Sequence, residues 1–261
     1  MSKIGQARVL DEDQFAALLA EIQKNRHPEK NTLLMEISFK LGLRVQEIAL
    51  LRIKEVVDLG PQYPRGFKIK DLLVLPKGFT KGARAMERCQ ATPSRRSVRF
   101  TLEEFDQVVQ RIVKDAKSGP VNPEEYYPEQ TKKGGKTREL PIVDTNLKSA
   151  IGGYIEHRLE KNPSLKPNNP LIISQKGGAY SPNTLQDHMS MILKKWAGIE
   201  RASSHSGRRT LATKLLHKQK EHLKTVQQIL GHKDASTTVI YHELPESEIR
   251  NVLKKVGENF E

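Results

Sequence analysis

Four polar landmarks in this 261-residue chain carry side chains suited to phosphate chemistry. They are Arg44 in GLRVQE, the basic run Lys132-Lys133-Gly134-Gly135-Lys136, His205 and Arg208 in HSGRR, and the stretch ILGHKDASTTVIYH. In the last of these, Tyr241 follows His232 by nine positions. A phenol titrates at about pH 10, so it attacks well only where its anion is stabilised. Two guanidiniums can grip the nonbridging oxygens of a phosphodiester and offset the charge of a pentacoordinate transition state. A histidine adds a hydrogen bond or moves a proton, and a lysine can protonate a departing 5′ oxygen. A covalent phosphotyrosine would keep the energy of the broken bond, so rejoining needs no ATP, and the cationic side chains remove the need for a metal ion.

Taken singly, each landmark has a plain structural use. Arg44 could be a surface arginine at a helix start, and His205 with Arg208 a solvated cluster. Gly231 could stop a helix, and Tyr241 could pack beside Val239 and Ile240. Of the six tyrosines, Tyr154 shares a helix face with Ile151 and Ile155. Tyr63, Tyr126 and Tyr127 lie in Pro-rich loops, and Tyr180 precedes a Ser-Pro turn. Only Tyr241 has a polar constellation upstream.

The elements that must position these groups are mainly helical. Asp11 and Gln14 are spaced as a capping box for a helix over 11–24, with Phe15, Leu18, Leu19 and Ile22 inward. A second helix is expected with Asn31 as its cap and Leu33, Leu34, Ile37 and Leu41 inward, stopped by Gly42. A third carries Val45, Ile48, Ala49 and Leu51, which sets Arg44 at a helix-to-helix junction. FKIKDLLVL, residues 67–75, reads as one strand. Helix 101–116, with Thr101 as cap and Glu104 as its partner, turns Phe105, Val108, Val109 and Ile112 inward. Gly134-Gly135 between two short arms signals a hairpin. A helix over 144–161 buries Leu147, Ile151, Tyr154, Ile155 and Leu159. Residues 171–174 are extended, and helices follow near 182–196, 206–218, 221–230, 235–241 and 245–256. The fold class is mainly α with a small antiparallel β-sheet.

Composition bounds the function. Forty-four Lys and Arg against 31 Asp and Glu give a formal charge of +13, which favours a polyanionic partner, and nucleic acid first. No run of about 18 apolar residues exists to cross a membrane, and MSKIGQARVLDED lacks the apolar core of a secretory signal. A single cysteine, Cys89, excludes an internal disulfide and a cysteine-based zinc site, and suits a reducing cytoplasm. The histidines at 205, 217, 222, 232 and 242 pair with no acid in a recognisable ligand pattern, so neither metal nor cofactor is expected.

In order and spacing the landmarks resemble the tyrosine recombinase (phage integrase) family over residues 8–250. That family carries an arginine in GLR-x-x-E, a lysine on a β-hairpin, H-x-x-R, and L-G-H with a tyrosine nine residues on. The resemblance implies Tyr241 as nucleophile, Arg44 and Arg208 as phosphate clamps, and His205 and His232 for proton transfer or hydrogen bonding. Counting back from Pro141 in K-x-x-K-x-R-x-x-P assigns the lysine to Lys133, while Lys132 and Lys136 remain alternatives because a hairpin tip can shift register. It further implies double-stranded DNA with a specific recombination site, a homotetramer on synapsed DNA, and an accessory DNA-bending protein or second recombinase. A nucleoid-associated cytoplasmic protein is expected. A type IB topoisomerase or an inactive DNA-binding regulator are the rival readings.

The chain departs from the family pattern in several places. It is expected to be one catalytic domain over 1–261, starting close to the catalytic domain's first helix without the usual core-binding half of the DNA clamp. A basic insertion spans 77–128. Between Lys77 and Phe100 it holds seven Lys or Arg and one acid, Glu87. Lys81, Arg84, Arg88, Arg95, Arg96 and Arg99 there, with Lys132, Lys136 and Arg209, are candidate DNA contacts. Gln46 replaces a frequent serine and is expected to cap weakly. Gly207, where an apolar residue is frequent, is expected to loosen its turn. A tail helix within 243–261 is expected either to dock on a neighbouring subunit or to fold back.

Overall fold

The computed structural model describes residues 7–76, 102–117, 119, 137–232, 235–239 and 241. These fall into two units, helix 102–116 belonging to one and all other elements to the other.

Helix α1, Glu12–Gln23, starts with the expected capping box, Gln14 N–H donating to Asp11 Oδ1 at 2.8 Å. Leu18 and Ile22 are fully buried on its inner face. Helix α2, Pro28–Lys40, begins earlier than expected. His27 takes a left-handed conformation, and Pro28 occupies the first turn, where a missing N–H costs nothing. Asn31 is therefore not a cap. It lies inside the helix, buried, with Nδ2 donating to the Arg26 carbonyl and Oδ1 facing His188 Nε2 at 2.8 Å. Leu33, Leu34 and Ile37 fill the core as expected.

The expected strand over 67–75 is two strands in two sheets. Strand β1, Val57–Leu59, follows helices α3, Val45–Leu50, and α4, Ile53–Val56. It pairs antiparallel with β2, Phe67–Ile69. The chain then changes partner at Lys70 and Asp71. Strand β3, Leu72–Leu75, pairs antiparallel with β4, Arg138–Pro141, in the register Leu73↔Leu140 and Leu75↔Arg138. Leu73 and Leu75 face the core, while Leu72 and Val74 face out. The described partner of β4 is thus β3, and residues 76–137 form the connection of that hairpin. The expected Gly134-Gly135 turn is outside the described residues.

Helix α5, Leu102–Ala116, is the separate unit. Of its expected inner face, Val108 and Ile112 are half-buried, but Phe105 is 52 % and Val109 39 % exposed. The expected cap residue Thr101 and the side chain of its partner Glu104 lie outside what is described.

Helix α6, Thr145–Lys161, is capped by Asp144 and packs along α2. Helix α7, Pro182–Ser190, widens into a π-helical turn over Met191–Trp196, and α8, Ser206–Thr213, does the same over Lys214–Lys218. Two short helices close the described chain, α9, Leu223–Leu230, and α10, Ala235–Val239. The principal core runs from Leu10 to Ala202, and Ala212, Leu216, Val226 and Leu230 form a second cluster. The expected tail helix is outside the described residues.

Candidate active site

Gly42 ends α2 with φ +59, and a Cβ there would lie 2.9 Å from Leu211 Cδ2 and 3.1 Å from Leu230 Cδ2. Only glycine suits both the dihedral and the space, so the turn nests against α8 and α9. Arg44 then occupies the position before α3. Its backbone N–H donates to Glu47 Oε2 at 2.7 Å and its Nη1 to Glu47 Oε1 at 3.0 Å. Glu47 is 3 % exposed and holds both the main chain and the side chain of Arg44. Gln46 sits within the first turn of α3, so the cap role expected at that position falls to Glu47's carboxylate.

Arg208 lies in the first turn of α8. A Cβ on its neighbour Gly207 would stand 2.7 Å from the backbone carbon of Ser38 and 2.8 Å from its oxygen. Gly207 does not loosen a turn; it lets α8 press against α2. Arg208 is 3 % exposed. Its Nη1 donates to the Gly42 carbonyl at 2.7 Å and its Nη2 to the Leu230 carbonyl at 2.5 Å. Burial, then repulsion from Arg44, lowers its pKa to about 10, which leaves it charged at neutral pH.

The C-terminal end of α9 faces these arginines. Gly231, with φ +63, turns the chain out of the helix, and the last carbonyls of a helix have no helical partner. Leu230 O accepts from Arg208 and also from Arg138 Nη1, and Gly231 O accepts from Arg44 Nη2 at 3.4 Å. Arg138, in β4, also donates from Nη2 to Glu47 Oε2 at 2.8 Å. No role was read for Arg138 in the sequence, although it is the arginine of K-x-x-K-x-R-x-x-P; its place in that pattern was the available signal.

His232 follows Gly231 and is 8 % exposed, with Nδ1 2.8 Å from Thr238 Oγ1. Burial, then the charges of Arg208, Arg44 and Arg138, lowers its pKa to about 3, so the ring is neutral. It stacks on Tyr241 with centroids 5.9 Å apart. Tyr241 is half-buried against the Ala212, Leu216, Val226 and Leu230 cluster. Its N–H donates to the Thr238 carbonyl at 3.0 Å, and its carbonyl accepts from His217 Nε2 at 3.1 Å. That tether was not legible, because nothing in the sequence pairs residue 217 with 241. His205 is exposed just before α8, with Nδ1 3.4 Å from Ser204 Oγ. Partial desolvation of its ring, then the charges of Arg208 and Arg44, lowers its pKa.

The fold therefore brings Arg44, Arg208, His232 and Tyr241 into one cluster, with His205 alongside and Arg138 and Glu47 beneath. Lys133 lies outside the described residues, as do Lys132, Lys136, Lys81, Arg84, Arg88, Arg95, Arg96 and Arg99. Arg209 Nη1 donates to the Ala7 carbonyl at 2.9 Å and so anchors the segment before α1. Among the described residues no group of three or more His, Cys, Asp or Glu is placed to hold a metal ion. Two charged guanidiniums, two imidazoles and a phenol are the groups a phosphoryl transfer to tyrosine requires.

The model of the phage integrase family matches residues 93–248, more than half of the chain. The chain belongs to the phage integrase family. Among curated relatives it is 34% identical over 110 residues to the tyrosine recombinase XerC of Methylobacterium sp. (strain 4-46), a match covering 42% of this chain and 32% of that protein. It is also 34% identical over 121 residues to XerC of Staphylococcus aureus (strain USA300), covering 46% of this chain and 39% of the relative. These matches thus span about a third of the relatives' length. The fold agrees with solved family members. The XerA recombinase structure superposes with a TM-score of 0.60 at 20% identity, over 96% of this chain and 65% of that one. The Tn1549 transposon integrase, solved in complex with transposon right end DNA, gives 0.56 at 16% identity, over 98% of this chain and 69% of its own. As a phage integrase family member, the chain shares a mainly helical catalytic-domain fold with small antiparallel sheets.

Proposed function

We propose that this chain cuts and rejoins duplex DNA at a specific site through a covalent 3′-phosphotyrosine, as a tyrosine-type recombinase. The observation that carries the reading is the cluster itself. Arg44 and Arg208 reach the last carbonyls of α9, at Gly231 and Leu230, just before the histidine on which Tyr241 stacks.

In this mechanism a scissile phosphate lies against the guanidiniums of Arg44 and Arg208, whose charge stabilises its nonbridging oxygens. Tyr241 Oη attacks phosphorus, and the bond from phosphorus to the 5′ oxygen breaks. The phenol proton passes to a neutral imidazole, of which His205 and His232 are the two candidates. His232 Nδ1 is engaged with Thr238, so its Nε2 is the atom available to the phosphate or the phenol. Lys133 supplies the proton to the departing 5′ oxygen. Attack of a 5′-hydroxyl on the phosphotyrosine reverses these steps and joins the strands.

The partners follow from this reading. Duplex DNA is the substrate, and four copies on two synapsed sites are the working assembly, assisted by a DNA-bending protein or second recombinase. XerH, a structural neighbour, was solved bound to its difH substrate, which supports DNA as the ligand class. The basic stretch 77–100 follows backbone phosphates, and deleting it reduces the slope of affinity against salt. The protein acts in the cytoplasm on the nucleoid.

The direct test is a suicide substrate with a nick beside the scissile phosphate in candidate mobile-element junctions. A covalent protein–DNA adduct with wild type and none with Tyr241→Phe is expected. An adduct that persists in Tyr241→Phe would assign the nucleophile elsewhere and overturn the reading.

A further inference from the structure

The two clamp arginines are not waiting with empty hands. Arg44 is committed to Glu47 Oε1 and the Gly231 carbonyl, and Arg208 to the Gly42 and Leu230 carbonyls. When either guanidinium turns toward a phosphate, it weakens bonds to acceptors that stay behind in the protein. Two of those acceptors are costly to strand. Glu47 is a carboxylate 3 % exposed, and an unpaired buried charge is strongly destabilising. Leu230 O is the last carbonyl of α9, at the spot where Arg208, itself 3 % exposed, reaches it.

Arg138 touches both. Its Nη2 donates to Glu47 Oε2 at 2.8 Å and its Nη1 to Leu230 O. These are the other oxygen of the carboxylate that Arg44 holds and the same carbonyl that Arg208 holds. Arg138 is itself 10 % exposed on its side chain, under the cluster rather than at its open side, where Arg44 is 29 % exposed. It comes from β4, an element that carries neither clamp arginine, so it can stay when they move. Gly231 permits this approach, since a Cβ there would lie 2.9 Å from Arg138 Nη1.

We propose that Arg138 is a positioning residue that keeps Glu47 and the Leu230 carbonyl paired while Arg44 and Arg208 are drawn onto the scissile phosphate. The inference rests on the phosphotyrosine reading above. Arg138 acts in the cleavage step, through Glu47 and the end of α9, and does not itself contact DNA. Because α9 leads directly through Gly231 to His232, the same bonds hold the stacked His232–Tyr241 pair in register with the clamp.

The test compares wild type, Tyr241→Phe, Arg138→Lys, Arg138→Met, Glu47→Gln and the double variant Glu47→Gln/Arg138→Met. DNA affinity and the rate of adduct formation under single turnover are measured for each on the nicked substrate. Loss of one charged hydrogen-bonding partner predicts a cleavage rate about 10- to 100-fold lower in Arg138→Met, with DNA affinity within about 3-fold of wild type. Arg138→Lys restores part of the rate, as does guanidinium ion added to Arg138→Met. In the double variant the Arg138→Met defect shrinks, because a neutral amide at residue 47 no longer needs a counter-charge. A merely structural arginine would instead give rate losses that multiply independently of residue 47 and no rescue by guanidinium, and that result overturns the inference. Arg138→Met cleaving at the wild-type rate does so as well. Absence of any adduct with wild type is a different outcome, since it rejects the phosphotyrosine reading on which this one stands.

Discussion

His232 and Tyr241 stack with their ring planes 13° from parallel and their centroids 5.9 Å apart. The stack fixes the phenol ring over a neutral imidazole whose other face of bonding is closed by Thr238. Packing and the proposed reactivity are thus served by one arrangement. The body of Tyr241 rests on an apolar cluster, and among the described residues its hydroxyl makes no hydrogen bond. Tyr241→Phe keeps the ring and the stack, so its unfolding free energy is expected within about 1 kcal/mol of wild type while adduct formation disappears. Urea unfolding beside the adduct assay checks both.

Thr238→Val tests the second support of that stack. Thr238 is fully buried and bonded to His232 Nδ1. Valine keeps the shape but leaves Nδ1 unsatisfied and the tautomer unspecified, at a cost of about 1–3 kcal/mol. Cleavage is expected to fall about 10-fold or more, with DNA binding retained. Single-turnover rates at saturating protein separate the two.

Gly207→Ala tests the approach of α8 to α2. The added methyl meets backbone atoms of Ser38 at 2.7 and 2.8 Å, and backbone cannot swing aside as a side-chain tip can. A loss of about 1–3 kcal/mol is expected from overpacking. Arg208, the next residue, shifts with the helix, so cleavage falls further than stability alone explains. A wild-type melting temperature in this variant would contradict the packing.

His217→Ala removes the bond from Nε2 to the Tyr241 carbonyl. One hydrogen bond contributes about 1 kcal/mol, so a roughly 5-fold slower cleavage is expected, with faster proteolysis of the segment around Tyr241. His217→Gln, which can donate to the same carbonyl, recovers part of the rate.

Stability is expected to fall in mild acid. His188 is bonded to Asn31 Oδ1, and its pKa is lowered to about 4 by burial, then by Lys30 and His27. The unfolded chain takes up this proton near the ordinary value of about 6.5, whereas the folded chain resists until about 4. Between these values the unfolded state binds more protons, so stability is present above about 6.5 and declines as pH falls. His232 adds the same trend to a lower pH. Urea unfolding from pH 7 to 4 shows the decline, and His188→Gln flattens it. A stability that stays level over that range in wild type would contradict the buried neutral imidazole.

Much of the architecture was legible because local rules decided it. The capping box at Asp11, the left-handed stop at Gly42 and the inward faces of α1 and α6 depend on residues within a few positions of each other. The motif order Arg44, His205, Arg208, His232, Tyr241 was legible too, since spacing along the chain is preserved in a single sequence. Where competing local signals existed, the reading failed. Asn31 looked like a cap, but the left-handed His27 and Pro28 had already started the helix. Residues 67–75 looked like one strand because apolar residues flank Lys70 and Asp71 on both sides, while the change of partner there depends on β1 and β4.

The sequence by itself determined which groups are present for chemistry and in what order. Only the tertiary structure decided what holds them. Arg138 and Glu47 stand 91 positions apart, Arg208 and Gly42 166, and Arg44 and Gly231 187, and no periodicity connects such pairs. They meet because α9 ends against the turn after α2, exposing carbonyls that a helix cannot satisfy from within. The Leu230 carbonyl buried there requires donors, which Arg208 and Arg138 supply, while Arg44 reaches the exposed Gly231 carbonyl beside it. Gly207 carries the same lesson in one residue: in the sequence it looked like slack, and in the fold it is the contact that seats Arg208.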